Sequence, residues 1–189
     1  MIVEEFPIQG LYAFTPKKFG DDRGFFSETF NGKAFAEVVP DVTFVQDNHS
    51  LSRDVGVLRG LHFQTPPHAQ GKLVRVTRGR VLDVAVDLRK GSPTYGQHAS
   101  VELSADNWKQ LWVPPGFAHG FCTLEPDTEF LYKVTDYYAP ECDSGIAFDD
   151  PDLGIDWPFS RSEAILSGKD TELQSFRDFV SPFTYEEKA

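Results

Sequence analysis

Lys72-Leu73-Val74-Arg75-Val76-Thr77-Arg78-Gly79-Arg80-Val81-Leu82-Asp83-Val84-Ala85-Val86-Asp87-Leu88 is the stretch from which the fold can be read. Two runs rich in β-branched residues, Lys72 to Thr77 and Arg80 to Leu88, flank Arg78-Gly79, a pair suited to a tight hairpin turn. In that register Val74 opposes Asp83 and Lys72 opposes Ala85. Lys72, Val74, Val76, Val81, Asp83 and Ala85 then share one face, and Leu82, Val84, Val86 and Leu88 share the other. Both faces are largely apolar, as expected of strands covered on both sides within a sandwich or barrel.

The same logic applies downstream. Phe117 to Leu124 reads as a strand, Glu125-Pro126 as a turn, and Asp127 to Tyr137 as the returning strand. This register places His119 opposite Tyr132, with Phe117, Phe121, Phe130 and Val134 on the same inward face. Repeated hairpins predict an all-β fold, an antiparallel jelly-roll barrel with a few short helices. One helix is expected where Asn31 caps Ala34 to Val38, and another near Thr171 to Phe176. Residues 1–189 read as a single domain with a core at about 40–140, and the tail after Ala139 is expected to pack back on the barrel.

Composition narrows the function. The chain has 189 residues, of which 14% are aromatic, including 17 Phe, a load that suits a β core or a ring-stacking pocket. A net charge of −11 argues against general nucleic-acid or anionic-membrane binding. No apolar run is long enough to span a membrane, and Met1-Ile2-Val3-Glu4-Glu5 lacks the basic and apolar regions of a signal peptide, so a cytoplasmic protein is expected. Cys122 and Cys142 provide neither a disulfide framework nor zinc-ligand spacing. There is no dinucleotide glycine fingerprint, phosphate-binding loop or zinc-protease helix motif, and no cofactor is expected.

Arg59-Gly60-Leu61-His62, followed ten residues after the His by Lys72, sets a guanidinium, an imidazole and an ammonium at adjacent strand positions. Such a set either lies on a solvated strand face or binds an anion and moves protons. Arg59 and His62 fall on opposite faces of a regular strand, and a bulge at Gly60 would re-aim one of them. Gln46-Asp47-Asn48-His49-Ser50 follows the apolar Thr43-Phe44-Val45 and reads as a loop or a polar recognition edge. Asp21 to Glu28 reads as a turn into a strand. Asp170 would cap a helix or orient a histidine.

Pro114-Pro115-Gly116-Phe117-Ala118-His119 resembles the second motif of the cupin superfamily, in which a proline-glycine turn opens a strand bearing a metal-binding His. The first motif of that superfamily needs two His separated by one residue, whereas this chain has His62-Phe63-Gln64, and His68 and Gln70 do not restore the set. A His-rich metal centre is therefore not expected.

Taken together, Asp22-Arg23-Gly24-Phe25-Phe26, Gln46 to Ser50, Leu58 to Gln64, Gly71 to Val76, Trp112 to Phe121, Tyr132-Lys133 and Leu166-Ser167-Gly168-Lys169-Asp170 closely resemble the dTDP-4-dehydrorhamnose 3,5-epimerase family. The resemblance implies a metal-free cupin-type jelly roll, a homodimer whose N-terminal segment is exchanged with its partner, and a dTDP-sugar substrate. It implies inversion of C3 and C5 of dTDP-4-dehydro-6-deoxy-D-glucose through proton removal α to the C4 ketone. His62 would be the base, Asp170 its partner, Lys72 the stabiliser of charge on the C4 oxygen, and Tyr132 the acid on the opposite face. Arg59 and Arg23 would contact the diphosphate or nucleotide. Gln46, Asp47, Asn48 and Glu28 would contact nucleotide or sugar, with Arg23 and Glu28 coming from the neighbouring subunit. His119 would bond the sugar and Tyr138 would stack near the thymine. Lys169 and position 143 match a further substrate-contact pair, with Asp143 standing where the family commonly has Glu.

Two rivals share the scaffold. A mono-epimerase acting at C3 or C5 alone would keep the same base and acid. A cupin that binds a nucleotide sugar without turnover would lose His62, Tyr132 or Asp170, and all three are present.

Overall fold

The computed structural model describes residues 1–186. Thirteen strands occur among the described residues: β1 (Ile2–Glu5), β2 (Tyr12–Thr15), β3 (Phe19–Asp21), β4 (Gly24–Phe26), β5 (Gln46–Ser52), β6 (Leu58–Gln64), β7 (Lys72–Arg78), β8 (Arg80–Asp87), β9 (His98–Ser104), β10 (Gln110–Val113), β11 (Phe117–Thr123), β12 (Thr128–Val134) and β13 (Asp143–Gly145). Two short helices accompany them, α1 (Gly32–Ala36) and α2 (Gly168–Thr171). The strands build two facing antiparallel sheets, ordered β1-β2-β10-β7-β12-β5 and β13-β6-β11-β8-β9, and β3 and β4 form a separate two-stranded ribbon. The expected all-β jelly roll is present.

The expected pairings are not. β7 pairs with β10 and β12, whereas β8 pairs with β9 and β11, so the Lys72–Leu88 stretch crosses from one sheet to the other. Gly79 is the corner, at a φ of +77°, and a Cβ there would come within 2.3 Å of Thr128 Oγ1. Likewise β11 pairs with β6 and β8 while β12 pairs with β5 and β7, so His119 and Tyr132 are not strand partners. The face assignments nevertheless hold. Val74, Val76, Val81, Ala85, Phe117, Phe121 and Phe130 all lie in one inner cluster, because alternating residues of two facing sheets converge on the same interior. Phe121 and Phe130 stack across that interior with ring centroids 4.0 Å apart.

The outer face of the second sheet is covered by the tail. Ile146, Phe148, Leu153 and Phe183 pack on Leu58, Leu61, Phe63, Val84, Val86 and Leu88, which explains why β8 is apolar on both faces. The outer face of the first sheet carries a smaller cluster, in which Phe35 packs against Phe14, Leu73 and Trp112.

Three local expectations shift. Asn31 caps the first helix through Oδ1, which accepts from Lys33 N and Ala34 N, but the helix spans Gly32–Ala36 rather than Ala34 to Val38. The second helix is Gly168–Thr171, one turn earlier than expected. Ser167 caps it, and the Thr171–Phe176 region instead supplies Gln174 to a bridge with Ile146. The polar run from Gln46 is itself strand β5, at a sheet edge, while Thr43 to Val45 is not a strand. Its alternation puts Asn48 and Ser50 inward and Asp47 and His49 outward, a pattern an edge strand with one wet face permits. No helix among the described residues is long and apolar enough to cross a membrane.

Candidate active site

A cavity of about 540 Å³ opens between the two sheets. The first sheet contributes Asn48 from β5, Lys72 from β7, and Phe130 and Tyr132 from β12. The second contributes Arg59 and His62 from β6, and His119 and Phe121 from β11; the tail adds Ser167 and Asp170.

Arg59 and His62 reach the same cavity because β6 is bulged. His119 pairs with His62 and Phe121 with Arg59, so β6 spends one more residue than β11 over this interval. The backbones meet closely at the bulge. A Cβ on Gly60 would come within 2.6 Å of Gly120 Cα, and one on Gly120 within 2.8 Å of the Arg59 carbonyl oxygen. The Arg59 guanidinium donates to Ser52 Oγ at 3.4 Å through both Nε and Nη2.

His62 Nε2 and Asp170 Oδ1 lie 2.5 Å apart, and the carboxylate is almost fully buried. With Nε2–H donating to Asp170, Nδ1 is the basic nitrogen of the ring. Burial pushes the Asp170 carboxyl up, but hydrogen bonds from His62 and Ser167 outweigh it and hold the group below its usual range. His119, the register partner of His62, has its own carboxylate: Nε2 is 3.0 Å from both oxygens of the fully buried Asp83.

Lys72 stands on the facing sheet, with Nζ 3.4 Å from the His62 carbonyl oxygen. Lys72 is half-buried at the cavity wall, and burial pushes its ammonium down to about 8. The carboxylates of Asp143 and Asp83 oppose that shift, while the Lys169 ammonium adds to it. Burial raises the Tyr132 hydroxyl, so it remains protonated at neutral pH and can donate a proton; the Arg59 charge pulls the other way and the Asp143 carboxylate adds to the rise.

A recess of about 180 Å³ shares Asn48, His62, Lys72 and Tyr132 with the cavity and adds Gln46, Tyr138, Asp143 and Lys169. Asp143 accepts a hydrogen bond from the Tyr138 hydroxyl at 3.1 Å and forms an ion pair with Lys169. Tyr138 is 57% exposed. Three expected residues lie apart. Asp47 turns to the outer sheet face and pairs with Lys133 at 2.9 Å. Glu28 lines a groove of about 460 Å³ on that same outer face. Arg23, its side chain 90% exposed on the ribbon, pairs with Asp21.

Two polar partners escaped the sequence reading, Asp83 and Ser167. A lone carboxylate within an otherwise apolar inward-facing set was the available signal for Asp83. Nothing in the sequence pattern distinguishes Ser167 from an ordinary helix cap.

The family model of dTDP-4-dehydrorhamnose 3,5-epimerase matches residues 5–178. The chain belongs to the dTDP-4-dehydrorhamnose 3,5-epimerase family. It is 52% identical over 185 residues to the dTDP-4-dehydrorhamnose 3,5-epimerase of Sinorhizobium fredii, an alignment covering 98% of this chain and 94% of that one. Among solved structures, a Bacillus anthracis dTDP-4-dehydrorhamnose 3,5-epimerase with TDP and pyrophosphate bound aligns with a TM-score of 0.89 at 49% identity, covering 92% of this chain and 98% of that one. A Legionella pneumophila 3,5-epimerase in complex with dTDP-4-keto-L-rhamnose aligns with a TM-score of 0.93 at 45% identity, covering 98% and 99%. Membership at this identity gives the chain the family's activity, 3,5-epimerisation in dTDP-L-rhamnose biosynthesis, an isomerase reaction on a cupin jelly roll. Of the two rivals, neither the mono-epimerase nor the silent binding protein is retained.

Proposed function

We propose that the chain epimerises dTDP-4-dehydro-6-deoxy-D-glucose with His62 as base and Tyr132 as acid. The observation that carries this reading is their placement: the two side chains come from opposed sheets and line one cavity, so a sugar ring between them meets the base on one face and the acid on the other. His62 Nδ1 takes the proton from C3 or C5, and the C–H electron pair passes into an enolate on the C4 oxygen. Asp170 accepts Nε2–H, fixes the ring and stabilises the imidazolium that forms. Lys72 offsets the developing oxyanion charge. Tyr132 then delivers a proton from the opposite face, which inverts the carbon, and solvent returns the proton to Tyr132 while His62 sheds the one it took. Both centres use the same pair, with no net oxidation.

For binding, His119 held by Asp83 would bond the sugar, and Arg59 would meet the diphosphate as a local cation on an acidic protein. Gln46, Asn48, Tyr138, Asp143 and Lys169 would serve the nucleotide end through the adjoining recess. Asp47 is withdrawn from this set because its carboxylate is engaged on the outer face.

The working unit is a homodimer in this reading. β1 and β2 pair within this chain's sheet through β10, and in this reading the part of the N-terminal segment that reaches the partner is the β3–β4 ribbon. The ribbon exposes Phe19, Phe25 and Phe26 beside Arg23, apolar surface that a second copy would cover. Arg23 and Glu28 would thereby reach the partner's cavity. Two free, buried cysteines suit the reducing cytoplasm in which we place the reaction.

Proton NMR with dTDP-4-dehydro-6-deoxy-D-glucose in deuterated water tests this reading. Deuterium at both C3 and C5 that disappears in His62→Ala supports it, and exchange that persists in that variant removes His62 as the base. Light scattering on the purified chain decides the dimer, which a monomeric mass would refute.

A further inference from the structure

We propose that Ser167 is a positioning residue for the His62–Asp170 pair, acting through one hydroxyl that holds the far oxygen of the carboxylate. The proposal rests on the reading of His62 as base. Asp170 Oδ1 faces His62 Nε2 at 2.5 Å, and Asp170 Oδ2 accepts a hydrogen bond from Ser167 Oγ at 2.7 Å. The same Ser167 oxygen accepts from the Asp170 backbone N–H at 3.2 Å. The hydroxyl's single donor and one of its two acceptor sites are thus both engaged by one residue. The carboxylate is pinned at both oxygens and its rotation about the Cβ–Cγ bond is restricted, which keeps Oδ1 aimed at the imidazole.

The backbone around this contact is tied to the strand that bears His62. Ile165 forms a parallel bridge with Val57, its N–H donating to the Gly56 carbonyl at 2.8 Å and its carbonyl accepting from Leu58 N at 3.0 Å. On the other side of α2, Ala147 N donates to the Gln174 carbonyl at 2.8 Å. Ser167 therefore sits on a segment anchored to the start of β6, and its hydroxyl passes that registration to Asp170. Without the hydroxyl, a buried carboxylate retains His62 as its one side-chain donor among the described residues and becomes free to rotate out of line.

Ser167 is also the N-cap of α2, and a capping role predicts something different. Glycine caps a helix nearly as well as serine, alanine does not, and threonine retains the hydroxyl. The test measures deuterium exchange at C3 and C5 by proton NMR in Ser167→Gly, Ser167→Ala and Ser167→Thr, at saturating substrate, with KM and thermal unfolding recorded for each. Positioning predicts that Gly and Ala variants lose about tenfold in exchange rate, equally at both carbons, with KM within about twofold, and that Thr restores most of the rate. A near-normal Gly variant beside an impaired Ala variant would reduce Ser167 to a cap. A raised KM with kcat intact would make it a substrate contact, and unequal slowing of the two carbons would also overturn the proposal. His62→Ala is measured alongside. If exchange persists there, the reading of the base fails; if exchange vanishes there but is normal in Ser167→Gly, only the positioning role fails.

Discussion

His62 and His119 are register partners on adjacent strands, yet each imidazole is held by a carboxylate from a different part of the chain. Asp170 reaches His62 from the tail, and Asp83 reaches His119 from β8. The two pairs differ in access: the His62 side chain is 28% exposed and the His119 side chain 7%. The more open ring is the one proposed as the base. We expect His62→Ala to slow exchange at C3 and C5 together by about a thousandfold, and His119→Asn chiefly to raise KM. Exchange followed by proton NMR, with steady-state kinetics, separates the two roles.

Tyr132 comes from the facing sheet, and as the proposed acid its loss should affect return of the proton rather than its removal. Tyr132→Phe is expected to retain deuterium wash-in while epimerised product forms about a hundredfold more slowly. Product analysis by NMR reads both quantities from one sample, and wild-type product formation would remove Tyr132 as the acid.

Lys72 gives the pH dependence its alkaline side. Burial lowers its ammonium to about 8, so the cation proposed to stabilise the enolate is present below that pH and lost above it. The profile of kcat/KM, which reports the free enzyme, should fall as pH rises through about 8. Lys72→Met should be slower throughout and lack this alkaline limb.

Asp87 predicts stability rather than activity. It is fully buried and accepts from Arg89, Ser92 and Thr94. Burial raises its carboxyl, but these donors, Arg89 foremost, outweigh burial and hold it below its ordinary value. A depressed carboxyl contributes stability above its unfolded pKa and loses it as pH falls through the folded one, so acid should weaken the wild type there. Asp87→Ala leaves the Arg89 guanidinium without its ion-pair partner, and should cost about 3 kcal/mol at neutral pH by denaturant unfolding. In that variant the acid-sensitive component assigned to Asp87 should be absent.

Gly60 tests the bulge. A Cβ there meets Gly120 Cα and the His119 carbonyl at 2.6 and 2.9 Å, and its φ of +131° disfavours any other residue. Gly60→Ala should destabilise by roughly 2–4 kcal/mol and disturb the placement of both Arg59 and His62. A variant with wild-type stability and exchange would show that the bulge is not required.

Much of the site was legible because alternation in a strand records which way each side chain faces. Lys72, Val74 and Val76 on β7, and Asp83 and Ala85 on β8, share one face by alternation, and all turn toward the same interior. The Arg59–Gly60–Leu61–His62 parity conflict likewise has a bulge at Gly60 as its resolution, and the β6–β11 register contains one. Strand partners were another matter. A hairpin and a corner that carries the chain to the facing sheet preserve the same alternation, so Gly79 looked like a turn when it is a crossing.

Alternation specifies the β pattern and the inward-facing residues, and the motifs specify the family. Tertiary structure decided which inward residues meet. His62 and Asp170 are separated by 108 positions, and no local period links them. They come together because the tail has an apolar surface to bury on the outer face of the second sheet, and its path along β6 brings Ser167 and Asp170 to the cavity rim. Hydrophobic burial is non-directional and leaves that path open; the backbone bridges at Ile165 and Gln174, made only in the folded chain, fix it.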